Sequence, residues 1–273
     1  MGRSFFMDNR PIGIFDSGIG GLTIARELHS VLPNESILYF GDTAHLPYGD
    51  KSPETIIGYS LAITEFLIKS NCKAILIACN SASSTAFDEV VEIVPNGTPV
   101  FNVIDPLITY ITARYHAEKV GVIGTKATIG SHVYLNRIRA ADASIILVEK
   151  STALLAAMIE EGFHDNAISQ AVIQAYLEDS RFEGIKALVP ACTHYPLISD
   201  EISSYFKNQI EVVDAPGIIA EQVRNALSEK GQLSDSANPE LHFMVSDLTA
   251  SFQKSAAIFF GEQVSLEERR LTH

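Results

Sequence analysis

Short runs of aliphatic and β-branched residues alternate along this chain with longer stretches in which apolar residues recur every three or four positions. The first pattern reads as buried strand and the second as amphipathic helix, and their regular alternation predicts parallel α/β sheets. The opening cycle is a strand at 11 to 15, a helix near 20 to 31 and a strand at 36 to 40. A long helical segment follows Ser52-Pro53-Glu54, with proline in its first turn and Asn71 at its end, and leads into an apolar strand ending in Cys79. The capping residues of Asn80-Ser81-Ala82-Ser83-Ser84 then open another helix. Strands near 118 to 123, 144 to 149, 186 to 190 and 210 to 213 repeat the scheme, with helical pattern between them, as at 165 to 180. Helices over 216 to 229 and 248 to 260 flank a strand Leu241 to Val245, and a charged segment Val264 to Leu271 forms an edge. The polar stretch Gly231 to Pro239 is a surface loop.

The second half restates the first. Lys73-Ala74-Ile75-Leu76-Ile77-Ala78-Cys79-Asn80 returns as Lys186-Ala187-Leu188-Val189-Pro190-Ala191-Cys192-Thr193. Ile12-Gly13-Ile14-Phe15, running into Asp16-Ser17-Gly18, is echoed by Val120-Gly121-Val122-Ile123 running into Gly124-Thr125, and Val103-Ile104-Asp105-Pro106 by Val212-Val213-Asp214-Ala215-Pro216. Three landmarks in one order predict two related α/β domains with pseudo-symmetry, 1–101 plus 214–273 and 102–213, crossing near Asn102 and Asp214. Each domain presents one cysteine at the C-terminal end of a buried strand, where open α/β sheets build their ligand sites. Two facing thiols suit chemistry on both sides of one carbon.

Composition narrows the class. A chain of 273 residues, 47% of them hydrophobic, can bury large cores. No apolar run reaches the roughly 18 to 20 residues of a membrane span, and Met1-Gly2-Arg3-Ser4-Phe5-Phe6 carries no signal-peptide core. Three cysteines without metal-ligand or Cys-x-x-Cys spacing read as reduced thiols of a cytoplasmic protein. The net charge of −13 repels nucleic acid and anionic membrane. A small anionic substrate then needs local donors such as backbone amides.

Cys79 and Cys192 each follow an apolar strand and precede an expected helix start, whose free amides and dipole favour a thiolate. Cys72, with no counterpart in the other half, reads as a small core hydrophobe. Asp16-Ser17-Gly18-Ile19-Gly20-Gly21-Leu22 is a glycine-rich strand-to-helix turn able to offer N–H groups to an anion. It lacks the Gly-Lys-Ser/Thr of a nucleotide loop, and Thr23 stands where a dinucleotide motif has its third glycine. Asp16, at the strand end, is placed to orient a thiol or share its proton, and Asp42 is a candidate turn former. Tyr48 and Gly49, in the loop Gly41 to Gly49, are candidates to cover a substrate. His194 follows Cys192-Thr193, and Glu160 or Glu161 closes a helical run where either could support a thiol.

Taken together, Asp16-Ser17-Gly18-Ile19-Gly20-Gly21-Leu22, Gly41-Asp42-Thr43-Ala44-His45-Leu46-Pro47-Tyr48-Gly49, Ala78-Cys79-Asn80-Ser81-Ala82-Ser83 and Cys192-Thr193-His194-Tyr195-Pro196-Leu197 resemble the motif set of the glutamate racemases, in that family's order. The likeness runs from about residue 11 to 261 and includes Ser246-Asp247 and Phe259-Phe260-Gly261. It implies cofactor-independent interconversion of L- and D-glutamate for peptidoglycan synthesis, in a homodimer, with the site between the two domains. It implies that Cys79, assisted by Asp16, acts on D-glutamate, and that Cys192, assisted by His194 and Glu160, acts on L-glutamate. Ser17, Tyr48, Gly49, Asn80, Ser81, Thr125 and Thr193 fall where the family holds carboxylates and amine, and no metal site is implied. Two positions depart from the family pattern: Ser81 replaces the usual threonine, and Pro190-Ala191 replace a pair such as Leu-Gly before Cys192.

Three other readings compete. A racemase of aspartate or another amino acid would share both thiols. A thiol hydrolase built on Cys192 and His194 leaves Cys79 idle. A two-lobed amino-acid binding protein has no use for paired thiols.

Overall fold

The computed structural model describes residues 8–271, so the segment Met1 to Phe6 lies outside the described residues. Among the described residues, ten strands form two wholly parallel sheets. They are β1 (Ile12–Asp16), β2 (Ile37–Gly41), β3 (Ala74–Ile77), β4 (Val100–Asn102), β5 (Lys119–Gly124), β6 (Ile146–Ser151), β7 (Ala187–Ala191), β8 (Glu211–Val212), β9 (Leu241–Val245) and β10 (Leu266–Glu268). The six-stranded sheet runs β10-β9-β2-β1-β3-β4 and the four-stranded sheet β6-β5-β7-β8. Numbered within its own half, each contains the order second, first, third, fourth. The duplication read from sequence is therefore a duplication of topology. β9 and β10 extend the first sheet beyond β2, with Ile37 opposite Leu241 and Leu266 opposite Phe243.

Every residue of β1, β3 and β7 is buried, as expected of parallel strands covered on both faces. The helices that cover them follow local rules. Leu22–Val31 buries Leu22, Ile24, Ala25 and Leu28 along one stripe. Pro53–Lys69 begins with Ser52 accepting the Thr55 N–H, places Pro53 at its first position, and is followed by Asn71 at φ 60°. Ala167–Leu177 starts in a reciprocal capping box between Asn166 and Ser169, and Ala250–Phe260 stops at Gly261, φ 89°.

Some elements depart in detail from expectation. The strand sought at 144 to 149 lies at Ile146–Ser151, because pairing with Lys119–Gly124 carries it on to Thr152, whose hydroxyl meets the Tyr195 hydroxyl at 2.8 Å. The helix after Cys79 stops at Thr85, and a separate helix Phe87–Ile93 follows. After Cys192 comes a 3₁₀ turn, Tyr195–Ile198, with an α-helix only from Ser199. Pro196 lies in that turn and gives it no N–H. Among the described residues no helix is long and apolar enough to cross a membrane.

Candidate active site

In each half the chain leaves its first strand and returns through its third, so the crevice opens where the strand order reverses, beyond the C-terminal ends of β1 and β3 and of β5 and β7. Cys79 follows β3 and Cys192 follows β7, and both line one cavity of about 220 Å³. That is below the roughly 300–1,000 Å³ of sites for drug-sized ligands, so the cavity suits a small molecule. A larger open groove of about 610 Å³, between the helix Pro53–Lys69 and Arg269 to Leu271, holds no cysteine or histidine.

The other lining residues include Ser17, Tyr48, Gly49, Asn80, Ser81, Thr125, Thr193, His194 and Glu160. Every predicted site residue except Asp16 thus reaches the wall. Sequence reading missed the apolar part of it: Leu46 and Pro47 from one half, and Ala153, Ala156 and Ala157 from the other. Those alanines belong to the helix Ala153–Glu160, whose residues Ala153 to Ile159 are all apolar and give no periodic signal for which face meets a ligand.

Asp16 is fully buried behind the wall. Its Oδ2 accepts the N–H groups of Gly18 and Gly21 at 3.2 and 3.0 Å, and Oδ1 has no hydrogen-bond partner. Burial raises its pKa above the ordinary carboxylate value, while the His194 charge and the turn amides oppose the rise. Cys79 reverses an expectation. Burial first, then the charge of Asp16, push its thiol up to about 12, outweighing the Ala82 N–H and the Ser17 hydroxyl that favour thiolate. A helix start is present, yet desolvation wins, and Cys79 is a protonated thiol whose sulfur lies 3.6 Å from Ser17 Oγ. Cys72 is buried too, and burial pushes its thiol up to about 12, as suits a core residue.

On the opposite wall His194 Nδ1 lies 3.7 Å from Cys192 Sγ, and Nε2 lies 2.7 Å from Glu160 Oε1. Glu160, not Glu161, is thus the paired carboxylate. Burial alone would depress the His194 pKa; the hydrogen bonds and charges of Cys192 and Glu160 outweigh it and hold the imidazole well above its ordinary value. His194 is therefore a buried imidazolium, set edge-on to Phe259 at 5.1 Å.

Hydroxyls and amides complete the wall. Ser81 Oγ and Thr125 Oγ1 lie 2.8 Å apart across the two halves, and Thr125 Oγ1 donates to Thr128 Oγ1 at 3.1 Å. Serine at 81 keeps the hydroxyl contact. Tyr134 donates to Asn80 Oδ1 at 3.0 Å and fixes that amide. The Tyr48 hydroxyl turns away and donates to Asp42 Oδ2 at 2.6 Å, so Tyr48 offers its ring to the cavity. Asp42, expected only to form a turn, also accepts from Ser246 Oγ at 2.7 Å and holds His45 Nδ1 at 2.8 Å.

Two glycines let the halves approach. A Cβ on Gly20 would lie 2.5 Å from His194 Cε1, and one on Gly49 would lie 2.7 Å from Thr125 Cβ. Thr23, which breaks the dinucleotide motif, places its hydroxyl 3.1 Å from the Thr193 carbonyl across the same seam.

The Asp/Glu/Hydantoin racemase family pattern matches residues 22–223. The glutamate racemase of Chlorobaculum tepidum is 39% identical over 255 residues, covering 93% of each chain. The crystal structure of glutamate racemase from Francisella tularensis in complex with D-glutamate superposes with a TM-score of 0.91 at 39% identity, over 97% of this chain and 99% of that one. Allantoin racemase from Klebsiella pneumoniae, at 14% identity and a TM-score of 0.58 over 83% of this chain and 90% of that one, shares the fold alone. With two thiols facing one small cavity and this likeness along most of its length, the chain belongs to the Asp/Glu/Hydantoin racemase family.

Proposed function

We propose that this protein interconverts L- and D-glutamate by moving a proton between Cys79 and Cys192 across the substrate α-carbon. The observation that carries the reading is the placement of these thiols, from equivalent strand ends of two equivalent sheets, in one cavity. Relatives named glutamate racemase over nearly the whole chain support glutamate as the substrate.

Racemisation needs a base on one face of the carbon and an acid on the other. In the L to D direction, the Cys192 sulfur takes the α-proton as S–H, and the electron pair of the broken C–H bond stays on the substrate. Cys79, protonated because its thiol is pushed up to about 12, delivers its proton to the other face. The enzyme is left with the thiolate on Cys79, ready for D-glutamate. The His194 imidazolium, held by Glu160, stands beside Cys192, and buried Asp16 stands behind Cys79. Ser17, Asn80, Ser81, Thr125 and Thr193 serve as fixed donors to carboxylates and developing charge, while the Tyr48 ring, Gly49 and the apolar wall exclude water.

The same reading includes two lobes, 1–101 plus 214–273 and 102–213, in a cytoplasmic homodimer whose D-glutamate enters peptidoglycan. Proton NMR and polarimetry of purified protein with L-glutamate in D₂O, without added cofactor, test it. The α-proton should exchange and rotation fall to zero; Cys79→Ser and Cys192→Ser should each abolish turnover, and Cys72→Ser should retain it. A persistent α-proton and constant rotation would refute the reading, and exchange with L-aspartate in place of L-glutamate would select the shorter dicarboxylate.

A further inference from the structure

The halves meet along two sides of the cavity, and the sides differ in character. On one, Thr23 reaches the Thr193 carbonyl and Gly20 packs on His194, all of them buried. On the other, the 3₁₀ turn Tyr48–Asp50 lies against the short helix Lys126–Gly130. There the contacts run from the Ser81 and Thr125 hydroxyls outward past Gly49 to an ion pair, Asp50 Oδ1 to Lys126 Nζ at 3.0 Å. The side chains of Asp50 and Lys126 are 55% and 65% exposed, yet both line the cavity. They stand where it meets solvent.

Among the described residues, Lys126 is the lysine or arginine of the lining, alongside two carboxylates, Asp50 and Glu160. Glutamate arrives as an anion with two carboxylates, and a chain of net charge −13 repels it unless a cation waits at the mouth. We propose that the Asp50–Lys126 pair is the latch of the cavity mouth, and that Lys126 captures the side-chain carboxylate of incoming glutamate by exchanging Asp50 for it. This rests on the glutamate racemase reading and adds a substrate-binding residue and an entrance. The exchange is nearly isoenergetic in charge, since one carboxylate replaces another on the same ammonium, and exposed ion pairs hold little free energy to begin with. The opposite seam, buried and built from backbone and imidazole contacts, has no comparable exchange available.

Steady-state racemisation of L-glutamate over a range of ionic strength tests this with wild type, Lys126→Gln, Lys126→Arg, Asp50→Asn and a control, Lys230→Gln. Lys230 is exposed, lies outside the cavity lining and changes net charge equally. Lys126→Gln should raise KM about three- to tenfold, with a smaller change in kcat, and should flatten the salt dependence of kcat/KM beyond the effect of Lys230→Gln. Lys126→Arg should restore both, and Asp50→Asn, which frees the cation, should lower KM. A Lys126→Gln variant with wild-type KM and salt slope, or one matched by Lys230→Gln, overturns the latch while leaving racemisation standing. Failure of Lys126→Arg to restore KM assigns the residue a structural role and likewise overturns the latch. A wild type that leaves the glutamate α-proton in place overturns both readings.

Discussion

Gly20→Ala is a one-carbon probe of the buried seam. The added Cβ would lie 2.5 Å from both His194 Cε1 and Thr193 Oγ1, and 2.6 Å from His194 Nδ1. Carbon atoms in contact prefer about 3.5–4.0 Å, so roughly 1 Å of separation must be found. The imidazole has little freedom to supply it, being held by Glu160 at 2.7 Å and packed edge-on to Phe259. Thr193 is tied through its carbonyl to Thr23. Overpacking of this kind costs about 1–3 kcal/mol, which for a chain of this size lowers Tm by about 2–10 °C. If the seam yields instead, Cys192 and His194 move by about 1 Å, and a misplacement of that size costs on the order of 100-fold in rate. Calorimetry and the D₂O exchange assay should therefore show Gly20→Ala losing stability, activity or both. Gly58→Ala is the matched control: in the helix Pro53–Lys69 no neighbour lies within 4 Å of the new Cβ, and the change should stabilise by about 1 kcal/mol. A Gly20→Ala protein with wild-type Tm and kcat/KM would refute the close approach.

Asp16→Asn tests the buried carboxylate. Because the folded pKa is raised, Asp16 contributes full stability below its unfolded value near 3.9 and loses it as pH climbs through the higher folded value. The variant should therefore gain Tm relative to wild type as pH rises above about 4 while losing racemisation, and parallel Tm curves on both sides of that pH would contradict the assignment. Lys73→Met tests the buried pair of Lys73 Nζ and Glu35 Oε2, 2.6 Å apart and 0% and 1% exposed. Stranding Glu35 should cost about 3–5 kcal/mol in urea unfolding, with much of it recovered in Lys73→Met/Glu35→Gln; an unchanged midpoint in the single variant would contradict the pairing.

The fold was legible because strand alternation and the doubled landmarks are properties of chain order, and topology follows chain order. Contacts between the halves are not. Thr23 reads as a failed glycine and Gly49 as loop geometry until the second sheet is present to meet them. Even the repeat misleads at its first letter: Lys73 is a buried cation bonded to Glu35 and the Gln232 carbonyl, whereas Lys186 is exposed. The alanines of the cavity wall were invisible for a related reason, since an unbroken apolar run does not say which of its faces a substrate would touch.

Charge around the two sulfurs shows why the frame repeats and its decoration does not. Identical surroundings would give two thiols with the same proton affinity, and two like charges in one small cavity would then share a single proton with no preference for either face. The chain breaks the degeneracy with neighbours of opposite sign. A buried carboxylate, Asp16, joins burial in keeping Cys79 protonated, and a buried imidazolium, His194, faces the Cys192 sulfur. Those charges come from positions the repeat does not match: Asp16 ends β1 where Gly124 ends β5, and His194 stands where the first copy has Ser81. Substituting either charge should lower kcat more in one direction than in the other, with KM falling in proportion, because each acts on one sulfur of the pair while an equilibrium constant of one holds kcat/KM equal in both directions.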